Sequence, residues 1–329
     1  MKIAIHVNTI DGRGLGKTPH DYGVGLKNLL NHDVVYITGK QNGNEGVPRV
    51  AKQFDIHYYD GNIDRTPKNV IKSQIEKIVV EQKIDFVHML KAGEDDLITP
   101  TNCKKGIHCV FHMGQPHGNV YAAVSENLAK KHNKTLYVPH IIKKVEPTKD
   151  IRKALNIPED ALVVGRHGGT GTFDLAFVHK AIKEVLDKRK DVYFLFLSTD
   201  VFHNHERVMY FPWVLQEAGI FNFINACDVM LHARQMGETF GLSVGEFAVS
   251  NKPVMTWSGM WQGMKQPSYD TAHIDHLKGK AILYDNDIDL EKTILNMDVK
   301  QLRGKNWDTF SDVFSEQKVI EQYNKVFLQ

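Results

Sequence analysis

Two glutamates, Glu238 and Glu246, stand with seven residues between them inside the stretch 228–256. Val229, Met230 and Leu231 read as a short buried strand, and a polar loop runs on to Gly237. Apolar Leu242, Val244, Phe247 and Ala248 then mark a helix, which Ser250, Asn251 and Pro253 stop before a further strand at 254–256. Such a strand–loop–helix–strand unit builds the ligand edge of a parallel sheet. A helix start offers unpaired N–H groups and a positive dipole end, which suit a phosphate. The donors would be the backbone of Thr239, Phe240, Gly241 and Leu242, with Gly241 letting a ligand come close. Glu246, about one turn inside the helix, can accept hydrogen bonds from both hydroxyls of a ribose. Glu238, in the loop, can face whatever the phosphate carries. The plainer alternative makes Glu238 a helix-start acid and Glu246 a solvated side chain, and the spacing alone does not choose.

The wider pattern does. Asp228, the apolar strand, Arg234, the run Glu238-Thr-Phe-Gly-Leu, Glu246 and Lys252-Pro-Val together resemble the retaining glycosyltransferases of family 4. The resemblance implies an α/β chain of GT-B type, with two Rossmann-like domains whose parallel sheets face across a cleft. It implies transfer of a sugar, with retention, from a nucleotide-diphosphate donor to a hydroxyl. No metal or other cofactor is implied. Glu238 would orient the donor sugar, Glu246 the ribose, and the backbone of residues 239–242 the diphosphate.

The first half is consistent with this plan. Residues 2–8, 34–38, 55–59 and 85–90 read as strands, with a helical pattern at 71–82 between the last two. Strands alternating with helices argue a parallel sheet. The glycine-rich run 11–18 follows the first strand, and a helix is expected from about Asp21 to Leu30. A Walker-type loop would need a glycine where Asp11 stands, and the spacing of Gly12, Gly14 and Gly16 breaks the dinucleotide fingerprint. What remains is a flexible loop open to an anion. In the resembled family a loop here faces the donor diphosphate, which makes Gly14 and Gly16 candidates beside the reading as a simple turn. The polar segment 40–50 reads as a mobile loop. Residues 105–112 read as a strand ending in His112, and Ser125 caps the helix after Val120–Ala123. The family match gives His112 a contact with the transferred sugar; the match for His117 is weaker. Residues 136–139 read as the last strand of this half.

The domain crossing falls within 140–157, so the expected domains are 1–146 and 147–311. Helices over 307–327 follow, and residues 312–329 are expected to pack back on the first domain. Arg152, Leu155, Ile157 and Pro158 fit the family here, while His140 replaces its usual asparagine. After a strand at 161–165 comes Arg166 with Gly168 and Gly169, then a helix to Leu186. The family's diphosphate arginine corresponds to Arg166, but its lysine position falls on glycine or threonine. Either Arg166 and the backbone N–H groups of 168–172 suffice, or Arg234 or Lys17 substitutes. Beyond a strand at 192–197, Phe211 or Trp213 could stack on the base, although core packing suits Trp213 better. A helix is expected over 216–227, and a further strand over 282–284.

The bulk properties exclude several classes. At 329 residues and net charge +2, the chain is long enough for two domains and has no strong field for nucleic acid or membrane. The lysines at 104, 105, 130, 131, 134, 143 and 144 read as a solvated face. Cys103, Cys109 and Cys227 are too few and scattered for a disulfide framework and suit a reducing, cytoplasmic setting. The opening MKIAIHVNTI reads as a strand rather than a signal peptide, and no run of about 18 apolar residues predicts a membrane span. His203, His205, His273 and His276 lack the converging ligands of a zinc site and read as surface histidines. The acceptor class stays open among glycan, lipid and modified nucleic acid. A GT-B sugar-nucleotide epimerase and a non-catalytic nucleotide-sugar binding module are the competing readings. The broken glycine spacing disfavours a P-loop nucleotidase.

Overall fold

The computed structural model describes residues 1–329 except Arg13, residues 41–43 and Leu215, and only the backbone of Gly14 and Leu15. The chain divides into two compact units, Met1–Ile141 with Phe314–Gln329, and Ile142–Val313. The first division lies between Ile141 and Ile142.

The first unit holds one parallel sheet. Its strands are β1 (Lys2–His6), β2 (Asp33–Gly39), β3 (Ile56–Tyr59), β4 (Phe86–Lys91), β5 (Lys104–Cys109) and β6 (Val120–Ala123), in the spatial order β3-β2-β1-β4-β5-β6. The β-branched and apolar runs of these strands are buried because helices cover both faces of such a sheet. Three expectations are corrected here. Residues 136–139 make only an isolated bridge, Tyr137 beside Ala123. The glycine-rich run is not a loop: the helix Gly14–Leu30 begins inside it and continues through Pro19, giving up one intrahelical hydrogen bond. Asp11 accepts from the Gly16 N–H at 2.8 Å, and a Cβ at Gly16 would stand 1.8 Å from the Asp11 carbonyl oxygen. Finally, the segment expected to be helical from 307 becomes helix only at Glu316–Tyr323, extended by a wider turn over Asn324–Leu328. Part of the 40–50 segment lies outside the described residues; its end, Val47–Val50, is a short helix.

That C-terminal segment closes the first unit. Val319, Ile320, Tyr323 and Phe327 join the core formed by β1, β2 and the helix Gly14–Leu30. Tyr323 and Phe327 lie against buried His88 and His108. Burial pushes the His108 imidazole down to about 4 and His88 well below its ordinary value, so both rings are neutral packing groups at neutral pH.

The second unit repeats the plan. Its strands are β7 (Leu162–His167), β8 (Val192–Leu197), β9 (Val208–Phe211), β10 (Val229–His232), β11 (Gly237–Glu238), β12 (Val254–Trp257), β13 (Met260–Trp261), β14 (Met264–Lys265), β15 (Asp270–Thr271) and β16 (Ile282–Tyr284). Six of them form a parallel sheet in the order β16-β12-β10-β7-β8-β9. β13 and β14 make a hairpin, and β11 pairs with β15. Read by chain order within the unit, the strand sequence reverses direction between β7 and β10, the place where doubly wound sheets bind ligands at their carboxyl ends. Asp228 ties this sheet to flanking turns: it accepts from Arg152 at 3.2 Å, Arg303 at 2.8 Å and the Val163 N–H at 2.8 Å. Among the described residues no helix is long and apolar enough to cross a membrane.

A Cβ at Gly106 would lie 2.4 Å from the Phe327 ring. Gly106→Ala is therefore expected to lower stability by about 2 kcal/mol in urea denaturation, as overpacking does. Hydrogen exchange should rise in residues 316–328.

Candidate functional site

The two glutamates are placed by the reversal between β7 and β10. Met230 pairs with Gly165, so His232 and His167, two residues further along each strand, end their strands level. Each histidine faces one glutamate. His167 Nε2 lies 2.9 Å from Glu246 Oε2 without hydrogen-bond alignment. His232 Nε2 lies 3.4 Å from Glu238 Oε1 in hydrogen-bond geometry.

Glu238 reaches this position because Gly237 turns the chain with φ +66° and lets β11 pair with β15; a Cβ there would sit 2.0 Å from the Asp270 carbonyl oxygen. Arg234 donates to Glu238 Oε2 at 2.7 Å. Partial burial raises the carboxyl, but the His232 hydrogen bond and the Arg234 charge outweigh it and hold Glu238 below its ordinary range. Glu246 lies in the second turn of the helix Leu242–Val249 and is 4% exposed, so it is not the solvated side chain of the plainer reading. The helix start is Gly241, left-handed at φ +91°, with no side-chain cap of its own. Leu242 opens the helix, Thr239 is half-buried in the preceding bend, and Phe240 packs inward against His276.

Arg166 is inside β7 rather than in a loop, and only 3% exposed. Its guanidinium donates to Ser198 O at 3.0 Å, Thr199 Oγ1 at 2.6 Å, Gly169 O at 2.8 Å and Thr172 Oγ1 at 2.7 Å. All are neutral oxygens, and no carboxylate contacts it among the described residues. Burial lowers Arg166 to about 10, which leaves it charged at neutral pH. Arg166 thus shapes the turn that contains Gly168 and Gly169 while its charge stays unneutralised by direct contact. The two other candidate cations are paired: Arg234 with Glu238, and Lys17 with Asp21 at 3.0 Å.

His112 does not end a strand, because β5 stops at Cys109. The chain then curls over Ala92, whose carbonyl accepts from both Phe111 and His112 N–H groups. Gly93 makes room at φ +134°, since a Cβ there would sit 1.8 Å from the His112 carbonyl oxygen. The His112 ring is a third exposed, 3.5 Å from Glu94 Oε1, and belongs to the first unit. His117 lies 3.9 Å from Asp95. Gly14 and Gly16 are in the first turn of a helix of the same unit. Phe211, beside Phe223, and Trp213 are both half-buried.

Sequence reasoning missed His167 and His232, whose signal was their place at the ends of strands. It also placed His273 on the surface, whereas His273 is fully buried and 3.0 Å from Thr256 Oγ1. Among the described residues no cluster of histidine, cysteine and carboxylate has the arrangement of a metal site.

No protein-family model and no curated protein matches the sequence. Solved structures do match the fold. A glycosyltransferase from Rickettsia africae aligns with TM-score 0.70 at 16% identity, covering 99% of this chain and 97% of that one. Anabaena HepE, solved with UDP and glucose, aligns with TM-score 0.72 at 11% identity over 99% and 98%. A UDP-N-acetylglucosamine 2-epimerase aligns with TM-score 0.62 at 12% identity over 99% and 96%. The fold is therefore α/β of GT-B type, each unit built on a parallel six-stranded sheet.

The Glu238 carboxyl, held below the ordinary glutamate value of 4.5, adds stability that is complete above that pH and is lost as pH falls through the lower folded value. Glu238→Gln should flatten the fall in stability below pH 4.5, read by urea denaturation at several pH values. Arg166→Ala leaves buried carbonyls unpaired, and a loss of about 3 kcal/mol is expected. Arg166→Lys keeps the charge without the fork and should recover less than half.

Proposed function

We propose that this chain transfers a sugar from a nucleotide-diphosphate donor to a hydroxyl, as the retaining family 4 enzymes do. The observation that carries this reading is the pairing at the sheet's reversal point. Two level strand ends each present a histidine to one of the two motif glutamates, beside a helix start opened by Gly241. Glu246 takes the ribose hydroxyls, and Glu238 takes the donor sugar. The backbone of residues 239–242 takes the diphosphate. Arg166 supplies positive charge to the departing diphosphate, which answers the missing lysine, with Gly168 and Gly169 letting the anion approach. The resemblance assigns Gly14 and Gly16 to a diphosphate and His112 to the transferred sugar. Charge builds on the leaving diphosphate as the glycosidic bond breaks. Preplaced donors stabilise it without reorganising, the main catalytic term in this scheme. UDP in the HepE structure makes a uridine nucleotide the first donor to try. The scheme assigns no metal. The location is proposed to be cytoplasmic, on the cysteine pattern.

The shared fold of the 2-epimerase gives the second reading, in which the same nucleotide site serves a reaction without an acceptor. The test is a panel of UDP-, GDP- and ADP-sugars with nucleotide release as the signal and isotope exchange at the sugar C2 followed in parallel. Release without exchange is expected. Glu246→Ala should weaken nucleotide binding about tenfold or more, and Glu238→Ala should abolish release while binding persists. Exchange at C2 would favour the epimerase, and binding without either reaction would favour a binding module. The proposal falls if no nucleotide sugar binds and Glu246→Ala changes nothing.

A further inference from the structure

Glu238 is held by two donors of different standing. Arg234 comes from a partly exposed position, and exposed ion pairs constrain geometry little. His232 comes from the buried end of β10, and a file of polar groups stands behind it. His232 Nδ1 lies 2.8 Å from Thr256 Oγ1, and that oxygen lies 3.0 Å from His273 Nε2. The same His273 nitrogen is 3.4 Å from the Tyr269 hydroxyl, which donates its hydrogen to Trp257 O at 2.6 Å. Thr256 and Trp257 belong to β12, and Tyr269 and His273 flank β15, the strand that pairs with Glu238 itself. The file thus joins the sheet to the loop that carries the carboxylate. The His232 backbone is fixed as well, because its carbonyl accepts from the Tyr284 hydroxyl at 2.8 Å.

The chemistry of the groups sets the roles. An ionised carboxylate only accepts, so Nε2 of His232 carries a hydrogen toward Glu238. With Nδ1 engaged by Thr256, the ring cannot rotate without breaking both bonds. Burial keeps His273 neutral, so its ring, whose centroid is 4.6 Å from that of His232, adds no positive charge here. Among the described residues, Arg234 and Arg166 place positive charge toward this carboxylate.

We propose that His232 is a positioning residue for Glu238, its imidazole aimed by Thr256, His273 and Tyr269 so that the carboxylate is held ionised and in one orientation toward the donor sugar. This rests on the role proposed above for Glu238.

The first measurement needs no substrate. In protein carrying 13C-labelled glutamate carboxyls, the Glu238 signal is identified by its loss in Glu238→Gln and titrated. It should titrate below the ordinary glutamate range. His232→Ala should move its midpoint upward, and His232→Gln, which places an amide N–H near the former Nε2, should bring it back. Thr256→Val should move it partway, and Thr256→Ser should not. The second measurement is turnover of whichever nucleotide sugar the panel finds active. His232→Ala should lower kcat about tenfold or more, the loss of one charge-assisted hydrogen bond, with nucleotide Kd changed less than about threefold. His232→Gln should restore most of it. An unmoved Glu238 midpoint in a folded His232→Ala protein overturns the proposal, as does His232→Gln behaving like His232→Ala in both measurements. A midpoint that moves as expected in a protein that turns over no nucleotide sugar upholds the coupling of His232 to Glu238. It would fault the sugar-transfer reading instead.

Discussion

A carboxylate removed from water must find compensating charge or hydrogen bonds, and in this chain that requirement shapes the candidate site. Glu246 is almost fully buried, and Glu238 is mostly so. Each has a histidine beside it at the end of a strand, His167 for the one and His232 for the other. The strands must end level for this to happen, which depends on the register of β7 against β10. The register in turn depends on Gly165, whose missing side chain leaves room for Cys227: a Cβ there would lie 2.1 Å from the sulfur. The placement of two acids thus rests on close packing well below them.

The same economy of charge governs Arg166. A buried guanidinium bonded to a carboxylate would present little net charge to a ligand. Bonded to four neutral oxygens, it is desolvated and ordered yet retains its charge. On the proposed reading, this is the physical reason a phosphate site could work with one cation where the resembled family uses two. Arg234 and Lys17 have carboxylate partners within hydrogen-bond distance, which makes them weaker substitutes.

Three segments show what local patterns misjudge. The helix expected from about Asp21 begins at Gly14 and runs through Pro19, because one missing donor near a helix start is a small loss against the packing of Tyr22 and Leu26. His112 looked like the end of a strand because apolar Val110 and Phe111 continue past Cys109. The chain leaves the sheet there to hydrogen-bond with Ala92, a partner far away in sequence. Residues 307–315 carry apolar spacing without being helical, and Phe310 and Phe314 are buried from irregular backbone.

The sequence by itself determined the strand–helix alternation of both halves, the motif glutamates and the helix start at Gly241. These are local, since a strand's period, a glycine's freedom and a motif's spacing are all written in neighbouring residues. Only the tertiary structure decided that His167 and His232 face those glutamates, that His273 is buried behind one of them, and that Arg166 bonds to carbonyls instead of acids. Those facts depend on which strands lie side by side and in what register, a choice settled by packing between segments dozens of residues apart.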